Sequence, residues 1–517
     1  MVDDPNDQQD NSNDNSGGGR GPGGGGGGGL IQLLPMLIGL LIKKPILLIA
    51  VLGIGGFMYF KGGCNQVSSL AQLATGGILD PKQFSKAEVY EGLDEDKNDL
   101  PEYISLAKFA PNRLNQGAQG SCVAWSSAYA ARTILESAST GENPNQVAFS
   151  PAFMYNQIGL ENCQGSYIIR AMENLTQVGA VPFNDFPYDE KNCTRQPARQ
   201  LLQEADQFKM RGFNRLTESE TVKGINLRAI KEHLATDAPV VIGMMVGGSF
   251  MQEMEGQEVW HPSQSDYSQM GFGGHAMCVI GYDDRKEGGA FEIMNSWGES
   301  WGTNGIAWIK YSDFKQFVRE AYGLNTLPKK GAADVQNLSS SFGLVNAVSK
   351  QYIPLQSANG NVFQNTTPIA KGTTFKIEVK NNTDCYVYVL GKETDGSSYV
   401  LFPYPSKDDA TKTKFSPYCG ITGYRLFPRG MSMMADSIGN KDYMAIVTSK
   451  QPLNVFELND AVNQRKGSGF EAAVNAAIKR QTVNNVQFNS NNNGTIAFET
   501  STGDKSAVAC IIAINKQ

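Results

Sequence analysis

The chain has 517 residues, more than one ordinary core holds, and a prior of roughly 100–200 residues per domain points to about three folded units. Hydrophobic residues make up 41% and charged residues 19%, which excludes a disordered chain, and eight cysteines are too few for a disulfide scaffold. With 45 Lys+Arg against 51 Asp+Glu, a net charge of −6, it lacks the basic balance of a dedicated nucleic-acid binder, and His233, His261 and His275 are its only histidines.

Residues 1–29 carry five aspartates and then eleven glycines between Gly17 and Gly29, too little apolar surface to offset chain entropy. They are expected to form a flexible tail. From Leu30 to Phe60 the chain is apolar except at Lys43-Lys44-Pro45, so residues 30–62 are expected to anchor it in a membrane. A helix over Pro45–Phe60 would be about 24 Å long, so Lys43 and Lys44 must snorkel or the preceding block must extend a tilted span. Arg20, Lys43 and Lys44 precede the span and Lys61 follows it, which leaves the tail in the cytoplasm and everything after Gly62 outside. Residues 63–99, ending in the acidic stretch Asp94–Asp99, read as a linker or a short pro-segment.

The glycine-rich stretch Asn115-Gln116-Gly117-Ala118-Gln119-Gly120-Ser121 ends at Cys122, where a helical pattern begins with Ala124, Ala128, Ala131 and Leu135 on one face. A thiol at a helix N-terminus is expected to have a lowered pKa and to be a better nucleophile. Further on, His275 opens a short apolar strand behind Gly273-Gly274, and Asn295 ends a second one before Ser296-Trp297-Gly298 and Trp301-Gly302.

These three pieces, in this order, resemble the papain-like (C1) cysteine peptidases. The resemblance covers roughly Leu100–Leu327 and implies an α+β fold of two lobes, one helical and one a β-barrel-like sheet. His275 and Asn295 lie 153 and 173 residues beyond Cys122. By resemblance, Cys122 is the nucleophile, His275 its acid–base partner, Asn295 the orienter of the imidazole, and Gln116 with the Cys122 backbone N–H the oxyanion donors. Trp297 shields the His–Asn bond, and Gly165, Ser166 and Gly274 join it as candidate substrate-binding residues, Gly165 and Ser166 taking the substrate backbone as an added strand. No cofactor is implied, and no pair of histidines or cysteines has metal-ligand spacing.

Two departures from the family pattern bear on the cleft. Gln119 stands where a disulfide cysteine is common, which leaves Cys163, its usual partner, without that bond. The long inhibitory propeptide is also absent, so any latency must come from elsewhere. Cys278 reads as a core residue, and His233 and His261 as surface residues.

Beyond Leu327 the texture becomes β-rich. Phe375–Val379 and Cys385–Val389 alternate strictly around the turn residues Asn381–Asp384, which predicts a hairpin. Strands are also expected at 398–402, 443–448, 486–489, 495–500 and 507–514, with a helix around 469–480. Residues 328–517 are therefore expected to form a β-sandwich-like domain, and Tyr386–Leu390, Asp395-Gly396 and Leu401-Phe402-Pro403 resemble an uncharacterised domain of bacterial envelope proteins. The resulting expectation is a bitopic bacterial envelope peptidase acting on protein or peptide substrates, periplasmic or extracellular, with an accessory domain of unknown ligand. A catalytically silent tethered scaffold and a peptidyl transferase using the same thioester are the alternatives.

Overall fold

The structure, a computed structural model, describes residues 76–218, 224–331, 336–407 and 409–517. The expected tail, the membrane anchor at 30–62 and the first part of the tether lie outside these residues. Among the described residues no helix is long and apolar enough to cross a membrane.

The first domain is α+β, as expected. Its helical lobe is built on the continuous helical run Cys122–Ala124, Trp125–Arg132 (π-helical) and Thr133–Thr140, which ends at Gly141 with φ +75°. Ala124, Ala128 and Ala131 are buried, and their small side chains let this run lie close to the sheet of the second lobe. The helix Pro151–Ile158 starts where Ser150 accepts a hydrogen bond from the Phe153 N–H and Pro151 supplies a preset φ.

The second lobe is an eight-stranded sheet. Its order runs Phe213–Arg215, Val318–Leu324, Val240–Val246, Gly273–Asp283, Ala290–Met294, Ile306–Lys310, Val259–Trp260, with Tyr103–Ser105 pairing onto Gly273–Asp283. The central strand Gly273–Asp283 is buried on both faces, which explains its unbroken apolar run after His275. His233, expected at the surface, is 1% exposed. The helix Leu227–Leu234 lies against the sheet here, and a methyl placed on Gly323 would fall 2.3 Å from the His233 ring. His261 is exposed, as expected, and Cys278 is buried in the core.

The C-terminal region is a separate β-rich domain of two seven-stranded sheets with an apolar core between them. The expected hairpin does not form. Thr374–Asn381 pairs with Asn337–Asn346 and Gly423–Phe427 in one sheet, whereas Cys385–Lys392 pairs with Lys441–Ser449 and Ser398–Phe402 in the other. Both segments need a buried face, and they meet that need by facing each other across the sandwich rather than lying side by side. The expected strands at 398–402 and 507–514 appear as Ser398–Phe402 and Ala507–Asn515. The helix Phe470–Ala477 was anticipated and Val455–Asn463 was not; together they cover the outer face around Tyr388, Leu390 and Val447.

Residues 76–99 are not a free tether. They run as a strap over the first domain and along the second. Tyr90 packs edge-on to the His233 ring at 4.9 Å, and beside it Glu91 is 6% exposed with Oε2 lacking a hydrogen-bond partner among the described residues. Burial pushes the Glu91 carboxyl up to about 7, assisted by Glu218 and opposed by Arg429, Lys414 and Arg425. A carboxyl held above its unfolded pKa stabilises fully below that unfolded value, and the contribution is lost as pH rises through about 7. Glu91→Gln is therefore expected to remove about 3 kcal/mol of pH-dependent stability loss between roughly pH 4.5 and 7.5, measured by denaturant midpoints across that range.

Candidate active site

Cys122 begins its helix at the groove between the lobes, and His275 is the third residue of the strand Gly273–Asp283, opposite Met244 in the register. The Ala276 N–H donates to Cys122 Sγ at 3.4 Å, so the thiol lies against the residue next to His275. His275 Nε2 lies 2.8 Å from Asn295 Oδ1, and that same oxygen accepts from the Ser296 N–H at 2.7 Å. The backbone donor fixes which end of the amide is oxygen, so Nε2 carries the ring proton and Nδ1 is the basic nitrogen. Nδ1 has no hydrogen-bond partner among the described residues. Trp297 stacks on the imidazole at 4.4 Å between ring centroids.

Gln116 is fully buried; its Oε1 accepts from Ser296 Oγ at 2.6 Å and its Nε2 donates to the Gln119 carbonyl at 2.9 Å. One Nε2 hydrogen is thus used internally, and the other is available to an oxyanion. The loop is braced further by Tyr188, whose hydroxyl donates to the Gln116 carbonyl at 2.7 Å.

Cys163, left without its usual partner by Gln119, forms a disulfide with Cys193. Gln119 takes over part of the missing bond's work, since its amide donates to the carbonyls of Asp189 and Glu190 near that bridge. The bridge closes a loop of sequence separation 30, and Cys193→Ser is expected to lower stability by about 3 kcal/mol, read from denaturant midpoints with and without reductant. Reductant should shift the wild type and leave the variant unmoved.

The cleft is filled by the strap. Gly77 N–H donates to the Gly274 carbonyl, Ile78 N–H to the Ser166 carbonyl, and Ser166 N–H to the Gly76 carbonyl, each at 3.0 Å. Gly77 and Ser166 form a parallel bridge. Of the four candidate substrate contacts, Ser166 and Gly274 thus bond to an extended backbone. Gly165 does not: its N–H donates to the Tyr155 hydroxyl, and its part is to give space, because a methyl there would lie 2.4 Å from the Gly76 oxygen. Trp297 stacks on the histidine ring. A methyl on Gly76 would lie 2.8 Å from the Gly120 carbonyl and 3.0 Å from Cys122 Sγ, so only glycine lets the chain pass this close to the thiol.

This cover reverses the expected electrostatics. Cys122 and His275 are both 0% exposed. Burial pushes the thiol up to about 12, against the pull of the backbone N–H groups around it, and holds the imidazole down at about 4, against its bond to Asn295. The helix start does lower the thiol pKa, but by less than full burial raises it. In this state the pair is a neutral thiol beside a neutral imidazole.

Sequence reasoning missed Glu320. A methyl on Gly243 would meet Leu79 Cδ2 at 2.5 Å and Glu320 Oε1 at 3.0 Å, so the strap's leucine and this carboxyl share one pocket. Glu320 is 3% exposed, accepts from the Tyr322 hydroxyl at 3.0 Å, and burial pushes it up to about 8. The available signal was its alternation with Val318, Tyr322 and Leu324, which puts a lone carboxyl on an apolar strand face.

A helical lobe and a sheet lobe meeting at a groove with thiol, imidazole and carboxamide define a cysteine-type peptidase. The model of the papain family cysteine protease matches residues 107–323, and a domain of unknown function (DUF4384) matches residues 369–418. Mouse cathepsin K is 30% identical over 247 residues, which is 46% of this chain and 68% of the cathepsin. An uncharacterised peptidase C1-like protein of Acanthamoeba polyphaga mimivirus is 27% identical over 264 residues, 49% of this chain and 76% of the viral protein. Xylellain, a cysteine protease from Xylella fastidiosa, overlays with a TM-score of 0.41 at 23% identity, covering 50% of this chain and 97% of that one. The chain belongs to the papain family of cysteine proteases.

Proposed function

We propose that this peptidase hydrolyses peptide bonds through an acyl-enzyme on Cys122, with His275 and Asn295 as its partners. The Cys122 thiolate attacks the scissile carbonyl while His275 holds the thiol proton, which then goes to the leaving amine. Water, deprotonated by His275, cleaves the thioester and regenerates the thiol. Asn295 accepts from Nε2 and keeps Nδ1 turned to the sulfur, and Trp297 keeps water from that bond. Gln116 Nε2 and the Cys122 N–H hold the developing oxyanion, a contribution of about 3 kcal/mol per donor.

The observation that carries this reading is that an extended peptide backbone already lies across Cys122, bonded to Ser166 and Gly274. The groove therefore accepts a polypeptide as an added strand, and protein or peptide is the substrate class. Labelling by a thiol-directed epoxide, with product analysis on a peptide library, tests it. Cys122→Ala must abolish both label and cleavage; cleavage that survives this substitution sinks the assignment.

We place the protein in a bacterial envelope, anchored by residues 30–62, with the peptidase domain (100–327) and the β-rich domain (328–517) outside the membrane. The apolar run and its basic flank support the anchor, and the Cys163–Cys193 disulfide fits an oxidising compartment. Recovery of the full chain in the soluble fraction after cell lysis would contradict the anchor.

A further inference from the structure

The segment 88–98 is held from two sides. Glu88 and Tyr90 use their backbones on the peptidase domain: the Arg215 N–H donates to the Glu88 carbonyl at 3.2 Å, and the Tyr90 N–H donates to the Arg215 carbonyl at 2.8 Å. Val89, between them, faces the other way. Its N–H donates to the Lys414 carbonyl at 2.9 Å, and its carbonyl accepts from the Ser416 N–H at 3.0 Å. One extended tripeptide is thus shared by the two domains.

The hold on the β-rich side continues along Gly423–Phe427, the end strand of its sheet. The Asp94 N–H donates to the Tyr424 carbonyl at 2.8 Å, while Asn98 Oδ1 accepts from the Tyr424 N–H at 3.0 Å and Asn98 Nδ2 donates to the same carbonyl at 3.1 Å. These bonds satisfy backbone groups that an edge strand otherwise leaves open. Lys97 reaches the Tyr352 hydroxyl at 2.8 Å and pairs with the buried Glu378, and Arg429 pairs with Glu95 at 3.3 Å.

We propose that the function of the C-terminal β-rich domain is to anchor the 76–99 strap, so that residues 76–79 stay seated over Cys122. This rests on the reading of Cys122 as the nucleophile only for what the seating silences. A tethered occupant competes through its effective concentration, which its anchor sets. Val89 lies 12 residues beyond Gly77, so its bonds to Lys414 and Ser416 fix the strap a short way from the residues seated over Cys122. Loss of that hold widens the path open to residues 76–79 and lowers their effective concentration at the cleft. The peptidase side also touches the strap, through Arg215, through Glu232 accepting from the Leu93 N–H at 3.2 Å and through Arg228 on the Asn98 carbonyl, but the Asp94 N–H and the Asn98 side chain are held by Tyr424 of the β-rich domain.

The test uses the full chain with two separate lesions. Val89→Pro deletes the N–H that serves Lys414, along with a buried side chain, and keeps the Glu88 carbonyl and Tyr90 N–H that bond Arg215. The double variant Asn98→Ala/Arg429→Ala removes the Asn98 side-chain bonds to Tyr424 and the Arg429 contacts with Glu91 and Glu95. Two readouts are taken: hydrogen exchange at the Gly77 and Ile78 amides, and the rate of epoxide labelling at Cys122. Exchange at amides of the strand Cys385–Lys392 reports whether the β-rich domain remains folded.

Both lesions are expected to speed exchange at Gly77 and Ile78 about tenfold, to speed labelling similarly, and to leave the reference strand unchanged. Wild-type exchange at Gly77 and Ile78 in both variants overturns the proposal. Faster exchange without any labelling upholds the anchor and overturns the nucleophile assignment, so the two failures are told apart. Faster exchange at the reference strand together with Gly77 in both variants counts as global loosening and also overturns the proposal.

Discussion

The Gly76→Val substitution is expected to raise the rate of epoxide labelling at Cys122 by about 10³-fold at pH 7. A side chain at this position collides with the Gly120 carbonyl and Cys122 Sγ, so the strap must leave the cleft. While it is seated, a thiol held at about 12 is ionised in only about one molecule in 10⁵ at neutral pH. Once water reaches it, an ordinary thiol pKa near 8.5 gives a few per cent thiolate, and the partner imidazole and helix start add to that. The thiolate is the reactive species, so the ratio of these populations sets the minimum change. Timed mass measurement of the labelled protein, with Cys122→Ala as the blank, reads it. A rate equal to that of the wild type would mean the strap does not govern the thiol.

Once the strap is displaced, His275→Gln is expected to lower kcat/KM by about 10³–10⁴-fold. His275 is the one histidine that both opens the groove and is oriented by a carboxamide, through the 2.8 Å bond from Nε2 to Asn295. Its loss removes the acid for the leaving amine and the base for deacylation. It also removes the positive partner of the thiolate, so the acid limb of the pH–rate profile should move up toward the ordinary thiol range. Steady-state kinetics in the Gly76→Val background measure both effects. A large fall in rate with an unmoved acid limb would mean that His275 does not pair with the thiol.

The candidate site was legible in the sequence because its residues occupy positions that local structure prescribes. Cys122 follows a glycine-rich loop at a helix start, His275 opens a strand behind two glycines, and Asn295 ends the next strand before Ser296. Such local patterns survive in one dimension. The Cys163–Cys193 bridge did not, because proximity across 30 residues depends on how the intervening helix folds back. His233 looked exposed among Lys231 and Glu232, yet Gly323 on a distant strand gives its ring a place inside. The alternating segments at 375–379 and 385–389 showed that each wants one buried face and could not show which sheet each would join.

What the sequence by itself determined was the kind of chemistry available and, through motifs that resemble the papain-like peptidases, the two-lobe fold, while strand periodicity gave the β-rich character of the second domain. What only the tertiary structure decided was the state of that chemistry. Residues 76–79 look like any polar-flanked linker until folding lays them on Ser166 and Gly274. The resulting loss of water, not any change of residue, is what turns the Cys122–His275 pair neutral.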